Sequence, residues 1–119
     1  MKVEKRKRIG VIGCGQWGPN HIRSFFFHGD TTVQRVCDKD TPRLKSIQTM
    51  FPHLEITGDF KHITRAKDID AVVVATPVST HEGIVRDALM HGKDVLCEKP
   101  MTRTSKEAFE LAALAAKKN

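Results

Sequence analysis

The chain has 119 residues, with 20 Lys and Arg against 14 Asp and Glu and a formal net charge of +6. That length makes one domain around one core, able to bury roughly two-thirds of its unfolded surface without a disulfide or metal staple, and it excludes a two-domain enzyme within these residues. Hydrophobic content of 39% and charged content of 29% exclude disordered, collagen-like and membrane compositions, and no apolar run nears the roughly 20 residues of a membrane-spanning helix.

The excess charge sits at the start, where Lys2, Lys5, Arg6, Lys7 and Arg8 stand against Glu4 alone. Nothing beyond residue 8 continues this run and no groove-reading residues accompany it. Residues 1–7 therefore read as a solvated basic lead-in to the first strand, with no nucleic-acid partner. The apolar stretch that follows is too short, and too broken by glycine, for a signal peptide, so a cytoplasmic protein with no membrane partner is expected. Cys14, Cys37 and Cys97 are an odd count with no CxxC spacing. They read as small buried hydrophobes in a reduced compartment, not as a disulfide framework or a zinc site.

Along the chain, short apolar runs alternate with segments of helical periodicity, the pattern of successive β-α units around a parallel sheet. The first strand spans 8–12. After Gly13–Gly18 comes a helix on which Ile22, Phe25 and Phe26 recur at i, i+3 and i+4, so one ring of the Phe25-Phe26-Phe27 run faces out. A second strand over 33–37 is followed by Thr41-Pro42, a capping hydroxyl ahead of a first-turn proline. The third strand, 54–57, is weak. The fourth, 71–75, is apolar at every position, as a strand covered on both faces must be. The next helix has Ser79 and Glu82 at capping-box spacing and buries Ile84, Val85, Ala88 and Leu89. A fifth strand over 94–97 precedes a helix capped by Thr104 with Glu107, which buries Ala108, Leu111, Ala112 and Ala115. The expected architecture is α/β: a single-domain, doubly wound parallel sheet of the Rossmann type, strand order 3-2-1-4-5.

Gly13-Cys14-Gly15-Gln16-Trp17-Gly18 is G-x-G-x-x-G placed directly after a strand and opening a helix. There the first glycine permits the tight turn, the second lets the backbone approach a pyrophosphate, and the third lets helix and strand pack closely. The helix N-terminus supplies free amides and partial positive charge. Gly13, Gly15, Gln16, Trp17 and Gly18 are thus the candidate diphosphate site, with Trp17 either flanking the diphosphate or packing beneath the loop. Asp38 ends the second strand, where a carboxylate accepts hydrogen bonds from both adenosine ribose hydroxyls or, alternatively, serves as a turn residue or helix cap. Its charge favours NAD over NADP, although Lys39 beside it softens the repulsion of a 2'-phosphate.

In a 3-2-1-4-5 sheet the ligand crevice opens at the carboxyl ends of strands 1 and 4. Thr76 and Pro77 begin the loop after strand 4, and Glu98-Lys99-Pro100 lies one strand spacing, about 4.8 Å, further along the same edge, toward the nicotinamide end of an extended dinucleotide. His81 divides evenly between a ligand contact and a polar helix-start residue. His21, His28, His53, His62 and His91 show no metal-binding spacing and read as surface or helix-end residues; no metal is expected.

Gly10-Val-Ile-Gly-Cys-Gly-Gln-Trp-Gly18, Val74-Ala-Thr-Pro-Val-Ser-Thr-His81 and Cys97-Glu-Lys-Pro100, in that order, resemble the cofactor domain of the glucose-fructose oxidoreductase/inositol dehydrogenase (Gfo/Idh/MocA) family over nearly the whole chain. Trp17-Gly18-Pro19-Asn20 looks like the branch acting on nucleotide-linked amino sugars such as UDP-N-acetylglucosamine. The resemblance implies hydride transfer between a nicotinamide and a sugar, nucleotide-sugar or polyol hydroxyl. It matches Lys99 to the lysine that contacts the reacting hydroxyl, places Glu98 at the site or on the cofactor, and puts Pro100 where family members often hold a cis peptide. It also implies a following substrate domain, carrying a catalytic aspartate-histidine pair and an oligomer interface, that these 119 residues do not contain. The chain alone is therefore expected to be inactive, its partners being a missing C-terminal domain or a homo-oligomer. The alternative is a non-catalytic NAD(P)-binding or sensing module, which the intact Glu98-Lys99-Pro100 argues against.

Overall fold

The computed structural model describes residues 5–118; Lys2 and Glu4 of the basic lead-in, and Asn119, lie outside them. Five strands, β1 (Lys7–Ile12), β2 (Thr31–Cys37), β3 (Glu55–Thr57), β4 (Ala71–Val74) and β5 (Asp94–Cys97), alternate with helices α1 (Gly18–Phe26), α2 (Thr41–Met50), α3 (Lys61–Thr64), α4 (Val78–Met90) and α5 (Ser105–Lys118). All pairings are parallel and the order is β3-β2-β1-β4-β5, as the strand pattern predicts. No helix among the described residues is long and apolar enough to cross a membrane.

Period-two alternation divides the apolar residues between two cores, one on each face of the sheet. Ile9, Val11 and Val73 pack with Ile22 of α1 and Leu44 and Ile47 of α2. Ile12, Val72 and Val74 pack with Ile63 of α3, Ile84, Val85 and Leu89 of α4, and Leu111 of α5. A register shift between Ile9 and Gly10 leaves Gln34 as an extra residue in β2, which is why Val33 and Val36, three apart, reach the same core. Gly10 is small for a packing reason: a Cβ there would lie 2.5 Å from Ile63 Cγ2. The one-turn helix α3 that makes this contact has no periodicity to betray it in sequence. It also buries Thr64, whose hydroxyl donates to Asp87 Oδ2 at 2.5 Å.

Helix starts follow competition among polar groups. The N-cap of α2 is Asp40, which accepts from the Arg43 amide at 3.1 Å, so Thr41 lies inside the helix instead of capping it. The expected Ser79–Glu82 capping box is absent. Helix α4 starts at Val78 after Pro77 with no side-chain cap, Thr80 Oγ1 donates back to Pro77 O, and Glu82 binds Arg86. Thr104 does cap α5, accepting from the Glu107 amide at 3.2 Å. Two rings of the phenylalanine run face out instead of one, Phe27 at 75% and Phe26 at 39% exposure, and Phe25 packs against the core. On α5, Ala112 is exposed and Leu114 takes the core position expected for it.

The basic run is partly structural. Lys7 already belongs to β1, so the lead-in ends at Arg6, and Lys7 pairs with Asp94 while Arg8 pairs with Asp70. The Arg8 side chain and amide hold the Asp70 carboxyl down at about 2. A carboxylate of depressed pKa adds stability above its unfolded value, near 3.9, and loses it as pH falls toward its folded value. Asp70→Asn is expected to lower stability at pH 7 by about 1 kcal/mol, a discounted figure because exposed pairs are screened. Urea unfolding should show the deficit shrinking between pH 4 and pH 2; a deficit constant through that window would contradict the pairing.

Candidate functional site

The carboxyl ends of β2, β1, β4 and β5 meet along one edge through backbone bonds: Gly13 N donates to Cys37 O, Ala75 N to Ile12 O and Glu98 N to Val74 O, each at 2.8–2.9 Å. The glycines of the loop differ in why they are glycine. Gly13 has φ +103°, and a Cβ there would lie 2.6 Å from Ala75 O; at Gly18 it would lie 1.8 Å from Gly13 O. Both are required by the protein's own packing. Gly15 is different, because a Cβ there would meet only Arg43 Nη1, at 3.6 Å. The amides of Gly15, Gln16 and Trp17 find no acceptor among the described residues, and α1 begins next without a side-chain cap. Open space beside unpaired donors at a helix N-terminus fits a bound diphosphate. Gln16 and Trp17 are exposed, Trp17 at 55%.

Asp38 sits at the end of β2 and ties that end to the glycine loop. Its Oδ2 accepts from the Cys14 amide at 2.7 Å and its Oδ1 from the Asp40 amide at 2.8 Å. Each oxygen keeps a further lone pair, so the carboxylate orients the loop and retains acceptor capacity for ribose hydroxyls. Burial pushes the Cys14 and Cys37 thiols up to about 12 and Cys97 to about 11. At neutral pH all three stay protonated, and the glycine loop carries no nucleophile.

The β4–α4 loop joins the glycine loop to β5. Thr76 Oγ1 lies 2.6 Å from Thr80 Oγ1, and Pro77 is exposed at the start of α4. His81, expected as a ligand contact or a polar helix-start residue, stands in the first turn of α4 with its ring turned inward. It is 1% exposed, its Nε2 lies 2.7 Å from Thr76 O, and its Nδ1 lies 3.0 and 3.1 Å from the carbonyls of Pro100 and Met101. The ring is packed among these carbonyl oxygens, and the side chain is a strut between the Thr76 loop and the Pro100–Met101 segment. The Lys99–Pro100 peptide is cis, Lys99 is exposed at the edge, and Glu98 Oε1 is 2.5 Å from Nε2 of His21 on α1. His21 reads in sequence as a surface residue. Its helical position three residues beyond Gly18 is the only local signal it offers. A groove of about 380 Å³, lined by residues such as Leu89, Val95, Leu111 and Ala115, lies under α5 and away from the glycine loop.

Residues 7–119 match the family described as "Oxidoreductase family, NAD-binding Rossmann fold" (Gfo/Idh/MocA). The chain belongs to the Gfo/Idh/MocA family. Among curated relatives, the inositol 2-dehydrogenase of Burkholderia multivorans is 40% identical over 100 residues, spanning 82% of this chain and 30% of that protein. Inositol 2-dehydrogenase 2 of Paenarthrobacter aurescens is 39% identical over 107 residues, 89% of this chain and 32% of that protein. Two solved members of like fold carry a dinucleotide. GenD2 from gentamicin A biosynthesis, in complex with NAD, superposes at TM-score 0.90 with 29% identity over 96% of this chain and 32% of its own. KijD10, a 3-ketoreductase from Actinomadura kijaniata in complex with NADP and TDP-benzene, superposes at 0.88 with 29% identity over 96% of this chain and 35% of its own.

This Gfo/Idh/MocA chain therefore spans about a third of the length of the relatives it matches, and the matched third is their NAD-binding Rossmann domain. Within it a glycine loop, an acidic residue at the end of β2 and a lysine at the end of β5 share one open sheet edge.

Proposed function

We propose that this chain is the cofactor half of a dehydrogenase that moves a hydride between a nicotinamide and a carbinol carbon of a polyol, sugar or nucleotide sugar. The observation that carries the reading is the open cradle at Gly15, with its unpaired amides, on the sheet edge that also presents Lys99. A bound dinucleotide supplies the hydride acceptor. Gly15, Gln16 and Trp17 amides bind its diphosphate, Asp38 accepts from the adenosine ribose, Thr76 and Pro77 line the middle of the crevice, and Lys99 orients or shuttles the proton of the reacting hydroxyl. The two curated relatives are inositol 2-dehydrogenases, which favours a polyol over the UDP-amino-sugar branch that Trp17-Gly18-Pro19-Asn20 suggests. The substrate's second wall belongs to a further domain, present in relatives about three times this length.

Asp38 supports NAD as the preferred cofactor, because its carboxylate faces a 2'-phosphate with like charge. Calorimetric titration of the chain at fixed salt should show NADH binding about tenfold or more tighter than NADPH, a difference of about 1.4 kcal/mol. Asp38→Ala should erase most of it. Equal affinity in the unmutated chain would overturn the preference.

A further inference from the structure

β5 is an edge strand, paired with β4 and with no strand on its other side among the described residues. The segment that leaves it nevertheless is held from two directions. On one side His81 of α4 reaches the carbonyls of Pro100 and Met101. On the other, His21 of α1 meets the carboxylate of Glu98, with the two side chains only 19% and 26% exposed. The residue before Lys99 is thus held by His21 of α1 and the two after it by His81 of α4, while Lys99 itself stands exposed. An ordinary surface turn leaves its polar groups to water and needs no such grip. Taking a carboxylate and an imidazole largely out of water is costly unless they bond each other, and the charge-assisted bond they make is a strong, directional one.

The direction of the His21 bond gives it meaning. Helix α1 begins at Gly18, the last residue of the glycine loop, and Gly18 and Gly13 are in backbone contact. A bond from α1 to Glu98 therefore ties the Lys99 turn to the element on which a diphosphate rests, bypassing the two strand pairings β1–β4 and β4–β5 that otherwise connect them. We propose that His21 is a positioning residue: acting through Glu98, it fixes the Lys99 ammonium relative to a dinucleotide seated on the glycine loop. This rests on the cofactor reading above. Misplacement of a reacting group by about 1 Å costs on the order of 10²-fold in rate, so a tether between the two halves of the crevice has a purpose that an edge strand alone does not serve.

The test reads Lys99 directly in the 119-residue chain. Acylation of Lys99 by isotopically coded acetic anhydride is followed by mass spectrometry with and without saturating NADH. In the unmutated chain NADH should slow the reaction by at least about fivefold, the lower end of coupling between two sites. His21→Phe keeps the ring volume without a nitrogen, and His21→Ala removes the ring. In both, the slowing should fall below about twofold, while NADH affinity by fluorescence titration stays near that of the unmutated chain. His21→Gln, whose amide nitrogen can stand in for Nε2, should restore it. Full protection of Lys99 in the Phe and Ala variants, or failure of the Gln variant to differ from them, would overturn the assignment. A chain that binds NADH without protecting Lys99 overturns the positioning role alone; a chain that binds no NADH overturns the cofactor reading and this inference with it.

Discussion

Gly15→Val is expected to weaken NADH binding by about 100-fold or more, a loss of about 2.7 kcal/mol, while the domain stays folded. The reason is where the new atoms go. Around a Cβ at Gly15 the protein offers only the tip of the exposed Arg43 side chain, at 3.6 Å, so a branched side chain occupies the space proposed for the diphosphate and disturbs nothing beneath it. Gly18→Ala should do the opposite. Its methyl would lie 1.8 Å from the Gly13 carbonyl oxygen, which forces α1 away from β1 and the loop, and a loss of more than about 3 kcal/mol is expected from such strain. Circular dichroism melts beside fluorescence titration separate the two: near-normal melting with lost affinity for the valine variant, lost folding for the alanine variant. Retained NADH affinity in Gly15→Val would move the diphosphate off this turn.

The second large effect concerns turnover. The 119-residue chain is expected to bind NADH yet to show no dehydrogenase activity on a polyol such as inositol, because a hydride moves only when the substrate carbon is held against the nicotinamide face and one open sheet edge does not hold it. Joined to the substrate domain of a family member after Asn119, the chain should become active. Lys99→Ala in that fusion should then lower kcat by about 10²- to 10⁴-fold, the range of a lost general acid or base, with NADH affinity changed little. Strong turnover by residues 1–119 alone would overturn the half-site reading. A fully active Lys99→Ala fusion would remove Lys99 from the chemistry.

Much of this was legible in the chain because the deciding interactions are local. The glycine spacing after an apolar strand announces the turn, since only glycine adopts φ +103° against the Ala75 carbonyl or tolerates a neighbour at 1.8 Å. The uninterrupted Ala71–Val74 run announces a central strand, because both of its faces are covered. The strand order follows from handed crossovers between such units. Helix starts were less legible: Asp40, Thr41 and Thr104 offer similar oxygens, and which one accepts an amide depends on backbone geometry at a single residue.

Sequence by itself therefore determined the fold class, the glycine loop, Asp38 at the end of β2 and Lys99 on the same edge, all consequences of periodicity and turn chemistry within a few residues. Only the tertiary structure decided what the histidines do and where the basic run ends. His21 meets a carboxylate 77 residues away, His81 is buried by loops 5 and 19 residues distant, and Lys7 and Arg8 find Asp94 and Asp70 across the sheet. A lone histidine or lysine carries no periodic signal, and its role is set by which elements the fold packs against it.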